Sequence, residues 1–164
     1  MAELQAPPPS LLDKYEGKTV LPLYTTDVHV SGGVARHARA SGTAKSSDGA
    51  LDVQLRLPKE LGGPGGGTNP EQLFAAGYAA CFHGALSLIA AKRRIKLDEV
   101  SINAKVTFGR DPSDGLFLIT ADLAVALPGL DEDMATSLVR ETETICPYAK
   151  ISKVGFKNTI SLVR

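Results

Sequence analysis

The sequence predicts an α+β domain, and three observations carry that prediction. Runs of alternating apolar and polar residues occur in pairs, which is the period of half-buried strands. Two other stretches open with helix-start signals. The order is strand pair, helix, strand pair, helix, strand, rather than the strict strand–helix alternation of a doubly wound parallel sheet. At 164 residues the chain is long enough to bury one core, and its length requires no second domain. The expected division is a proline-containing arm over residues 1–20 and one domain over residues 21–164.

Within the arm, Pro7, Pro8 and Pro9 precede little periodicity, as expected of an extension lying on the surface. From Leu23 to Ser31 and from Ala50 to Leu57 the pattern alternates; Leu51, Val53, Leu55 and Leu57 share one face, while Asp52, Gln54 and Arg56 share the other. The intervening Gly and Asp residues are turn formers, and they leave room for further pairing around a tip near Arg36 to Gly42. The loop GGPGGG, Gly62 to Gly67, is too glycine-rich to continue a strand and leads into a helix. Asn69 can cap that helix, Pro70 suits its first position, and Gln72 stands where a capping box reaches back. The helix is expected to run to about Arg94. Two more strands, Val100 to Phe108 and Phe117 to Leu127, flank the turn-like RDPSDG. A second helix is predicted from Asp131, with acidic residues in its first turn and Met134, Leu138 and Ile145 on one stripe. Pro147 forces Cys146 out of helical geometry. Val154 to Val163 is predicted as a last strand.

Acidic and basic residues balance at 18 each, so no charged field recruits nucleic acid, anionic lipid or cations. The opening residues lack the charged start and apolar run of a secretory signal, so the expected compartment is the cytoplasm. Leu73 to Ala91 holds no charged residue and is long enough to raise the question of a membrane span. It is rich in Ala and Gly and stands alone between amphipathic strands, and is read as a buried core helix. The glycine loop lacks the Lys-Ser/Thr ending of a nucleotide loop and is assigned to shaping the helix entrance.

The chemistry rests on two cysteines, Cys81 and Cys146. In a reducing cytosol they are either small apolar packing residues or a functional thiol pair. Cys81 falls in mid-helix, beyond reach of that helix's own dipole, and apolar surroundings raise a thiol pKa. If it reacts, a cation from elsewhere must hold its thiolate; Arg36 and Arg39, after Gly32 and Gly33, are the candidates. Glu71 lies ten residues from Cys81, about 15 Å along a helix, so the two cannot touch within one chain. Two copies packing this helix antiparallel, at its small residues Ala75 to Ala80, would bring the glutamate of one copy toward the cysteine of the other. Cys146, at a helix C-terminus, faces partial negative charge and is expected to be the poorer nucleophile. Cys81 and His83 point about 160° apart around a helix, so they cannot share a metal ion. His29 and His37 are assigned to strand and turn.

The run LPKELGGPGGGTNPEQLFAAGYAACFHGAL, with ICPYAK, LYTT, SSDGALDVQL and LPGL, resembles the organic hydroperoxide resistance branch of the osmotically inducible protein C superfamily. The resemblance extends from about Leu23 to the C-terminus and leaves out only the arm. It implies an intertwined homodimer with antiparallel sheets wrapped around central buried helices, acting as a thiol peroxidase without metal, flavin or other cofactor. It also implies that Cys81 attacks the peroxide, that Cys146 resolves the product as a disulfide, and that Glu71 orients an arginine. That arginine is Arg36 by the pattern RHARA, with Arg39 as the alternative, since the segment is longer here than in the family. A dihydrolipoyl protein or another dithiol is the implied reductant. Phe74, Tyr78 and Phe82 are the expected substrate pocket for alkyl or fatty-acid hydroperoxides, each buried methylene contributing about 0.8 kcal/mol. A one-shot thiol redox sensor and a non-catalytic dimeric binding module remain the alternatives.

Overall fold

The computed structural model describes residues 9–34 and 41–162. These form two compact units: residues 9–14, 76–105 and 121–162 make one, and residues 15–34, 41–75 and 106–120 the other. The predicted α+β class with antiparallel sheets is what the chain adopts.

In the second of these units, β1 (Val28–Ser31), β2 (Ser41–Ser46) and β3 (Asp52–Arg56) pair antiparallel in that order. The alternation from Leu23 to Ser31 becomes strand only over its last four residues, because only these find a ladder partner in β2. The turn between β2 and β3 is closed by Asp48, whose carboxylate accepts from Ser46 Oγ at 2.6 Å and from the Ala50 N–H at 3.0 Å. Those bonds hold the Asp48 carboxyl below its ordinary pKa.

The glycine loop has a structural task. Backbone bonds from Arg56 N–H to the Thr68 carbonyl, 2.8 Å, and from Thr68 N–H to the Gln54 carbonyl, 2.9 Å, lay the chain before the helix alongside β3. A Cβ on Gly67 would sit 2.7 Å from the Gln54 carbonyl oxygen, so this approach requires glycine. Helix α1 (Pro70–Lys92) then starts as its sequence predicts: Asn69 Oδ1 accepts the Gln72 N–H at 2.9 Å, with Pro70 in the first position. The Gln72 side chain bonds to Thr68 Oγ1 at 3.0 Å. Strands β4 (Ser101–Arg110) and β5 (Phe117–Ala126) form the expected hairpin. At its tip the Asp111 side chain accepts from Ser113, while Phe108 stacks on Phe117 with ring centroids 4.9 Å apart.

The first unit buries Tyr78, Phe82, Leu86, Ile89 and Ala90 of α1, spaced so that they form one helical stripe. The helix, uncharged from Leu73 to Ala91, is long and apolar enough to cross a membrane by composition, and its buried residues form this stripe. Its opposite side, with Ala76, Ala80 and Gly84, is exposed in the single chain. Helix α2 (Glu132–Ile145) is capped by Asp131, which accepts the Met134 N–H at 2.9 Å, and it buries Leu138 and Thr142. Thr142 escapes a polar penalty because its hydroxyl donates to the Leu138 carbonyl at 2.7 Å.

The predicted final strand is a second correction. Pro147–Val154 is a helix, α3, and the residues from Gly155 to Leu162 form no strand. Pro147 both ends α2 and occupies the preferred first position of a new helix. The alternating residues beyond it have no ladder partner among the described residues, and a strand exists only where its backbone groups are paired.

Two substitutions probe this framework. Leu138→Ala removes a fully buried side chain and is expected to cost about 2–5 kcal/mol. Asn69→Ala removes only a cap and is expected to cost about 1 kcal/mol. Urea unfolding followed by circular dichroism checks the order; equal losses would mean that the stripe on α2 is not tightly packed.

Candidate functional site

Cys81 sits in the fourth turn of α1, just off the buried stripe, and is half-buried. Cys146 is the single extended residue (φ −64°, ψ 119°) between α2 and α3, serving as C-cap of one and N-cap of the other. It is fully buried. This break in the helix turns the Cys146 side chain onto α1, and the two sulfurs stand 3.4 Å apart as free thiols in contact.

Their electrostatics follow from that placement. Burial pushes the Cys81 thiol above its ordinary pKa, and the main opposing influence is the Tyr148 backbone N–H, which donates to the sulfur. The neighbouring Cys146 adds to the upward shift.

The Tyr148 N–H lies in the first turn of α3, where N–H groups have no partner within the helix. This corrects the expectation that Cys146 stands only at a negative helix end. The same residue caps the positive end of α3, so the sulfur pair meets a donor-rich terminus that α1 does not supply. The Tyr148 ring packs against Tyr78 with centroids 5.8 Å apart, over Gly77, where a Cβ would lie 3.1 Å from the Tyr148 hydroxyl oxygen.

A cavity of about 390 Å³ opens beside Cys81. Ala80, Gly84, Ala85 and Leu88 of α1 line it, with Ile145 and Pro147 from the joint between α2 and α3. Leu11 and Leu12, from a 3-10 turn at Pro9–Leu12, complete the wall. Every side chain in this lining apart from Cys81 is apolar.

The predicted site residues therefore divide. Cys81 and Cys146 come together. Glu71 is in the first turn of the unbroken α1, still about 15 Å along the helix from Cys81. Phe74 is half-buried, while Tyr78 and Phe82 belong to the buried stripe and are not among the side chains lining the cavity. Arg36 and Arg39, together with His37, lie outside the described residues. His29 is in β1, as expected. Sequence reasoning missed Tyr148, Leu88, Ile145 and the leucines of the arm. For Tyr148 a signal existed, since a proline after an extended residue marks a helix start as well as a helix end.

Comparison with known proteins agrees with this geometry. Residues 63–160 match the OsmC-like protein family. An organic hydroperoxide resistance protein of Xanthomonas axonopodis pv. citri (strain 306) is 46% identical over 142 residues, covering 85% of this chain and 94% of the relative. The protein OhrB of Bacillus subtilis (strain 168), of the same description, is 41% identical over 131 residues, covering 80% and 91%. The crystal structure of an organic hydroperoxide resistance protein from Legionella pneumophila superposes with a TM-score of 0.70 at 40% identity, covering 79% of this chain and 90% of that one. With two thiols in contact beside an apolar cavity and this degree of likeness along most of its length, the chain belongs to the organic hydroperoxide resistance branch of the OsmC-like family.

Proposed function

We propose that this protein is a cysteine-based peroxidase that reduces organic hydroperoxides to alcohols in the response to oxidative stress. The observation that carries the reading is the 3.4 Å contact between one sulfur lining an apolar cavity and a second that is fully buried. Access assigns the roles: a peroxide entering the cavity meets Cys81. The Cys81 thiolate attacks one peroxide oxygen, the O–O bond breaks, and the alcohol leaves with a proton while the sulfur becomes a sulfenic acid. Cys146 then attacks that sulfur; the S–O bond breaks, water leaves and a disulfide forms. A disulfide needs the sulfurs about 2.05 Å apart, so closure draws them together from their contact at 3.4 Å. An external dithiol, of the dihydrolipoyl class, restores both thiols by exchange and is itself oxidised.

The alkyl preference follows from the apolar lining, where each buried methylene of a substrate contributes about 0.8 kcal/mol. No cofactor is required, because both electrons come from the thiols. Activation is the demanding step, since burial favours the protonated Cys81. In this reading Arg36, or else Arg39, supplies the cation that offsets burial, and Glu71 orients it. A homodimer fits the same reading. Phe156, Ile160 and Leu162 are 69%, 92% and 83% exposed in a segment with strand-like alternation, and a second copy would both pair and cover it. A thiol pair that must be reduced again after each turnover suits a cytoplasmic location.

Three outcomes are expected. Without added reductant, Cys81→Ser lowers consumption of tert-butyl hydroperoxide to the buffer background, whereas Cys146→Ser consumes one equivalent in forming the Cys81 sulfenic acid and a second as this over-oxidises to the sulfinic acid, which accumulates by mass spectrometry. Undiminished consumption by Cys81→Ser would refute the mechanism. Removing the activating charge, by Arg36→Met or Arg39→Met, raises the apparent pKa of Cys81; each unit lowers its thiolate fraction at neutral pH about tenfold. The pH dependence of bimane alkylation measures this, and no upward shift in either variant would exclude arginine activation. Analytical ultracentrifugation is expected to give twice the chain mass of 17.2 kDa; a single-chain mass would remove the dimer.

A further inference from the structure

The arm preceding the family's motifs is drawn into the site. Its 3-10 turn, Pro9–Leu12, is closed by a bond from the Asp13 N–H to the Ser10 carbonyl at 3.1 Å, and it sets both Leu11 and Leu12 on the cavity that holds Cys81. The face contributed by α1 is built largely of small residues, Ala80, Gly84 and Ala85, which leave space without filling it. Much of the bulky apolar surface is therefore supplied by the arm. Leu11 remains 49% exposed there, so a bound apolar chain would remove further leucine surface from water and be favoured by it.

We propose that the N-terminal arm selects the substrate, with Leu11 and Leu12 forming the wall against which the alkyl chain of a hydroperoxide packs. The inference rests on the peroxidase reading and adds to it the device that separates long-chain from short-chain substrates. Such a wall acts on binding of the chain and not on the O–O bond, so its signature is in KM rather than kcat.

The test uses the full chain. In Leu11→Ser/Leu12→Ser, the ratio of kcat/KM for linoleic acid hydroperoxide to that for tert-butyl hydroperoxide is expected to fall roughly tenfold through KM, while Leu11→Met/Leu12→Met retains the wild-type ratio. In parallel, the rate of Cys81 alkylation by N-octylmaleimide relative to N-ethylmaleimide needs no turnover and should fall in the same variant. An unchanged ratio in the serine variant, or an equal loss in the methionine variant, would overturn the role of the arm. Wild-type protein that reduces no hydroperoxide, yet loses its preference for octylmaleimide in the serine variant, would instead refute the peroxidase reading and leave the wall in place.

Discussion

The contact between two sulfurs depends on one residue that belongs to neither helix it joins. Proline at position 147 cannot continue α2, and Cys146 takes up an extended backbone in consequence. That single break aims its side chain at α1 instead of along the α2 stripe. It also starts α3, whose Tyr148 N–H reaches the Cys81 sulfur. Pairing and partial stabilisation of the thiols thus arise from the same interruption of a helix.

The surrounding core holds this geometry in place. Leu86, Ile89 and Leu138 are fully buried, and Thr142, one turn before Cys146, is buried with its hydroxyl turned back onto its own helix. Gly77 gives the Tyr148 ring room to lie against Tyr78, which seats the first turn of α3. A close-packed interior transmits small displacements, so these residues position the sulfur pair without touching a substrate.

Burial differs between the two thiols. Cys146 is fully enclosed, with the Cys81 sulfur in contact at 3.4 Å. For Cys81, at the wall of an apolar cavity, partial burial disfavours the thiolate. The Tyr148 N–H alone does not reverse that upward shift, which is why the proposed reaction calls for a cation.

By itself the sequence determined whatever depends on local rules. The Asn69–Pro70 and Asp131 helix starts, the β4–β5 hairpin and the helix end before Pro147 are set by capping, turn chemistry and period, which act over a few residues. The family motifs around Cys81 and Cys146 were equally legible. Tertiary structure decided the rest, because it turns on what lies opposite. Gly155 to Leu162 has the alternation of a strand but finds no ladder partner among the described residues. Phe82 and Tyr78 share a helix with Cys81 yet face the core, while Leu11 and Leu12, about 70 positions away in sequence, line its cavity. Periodicity states that a side chain has a face, but only the packed chain states what that face meets.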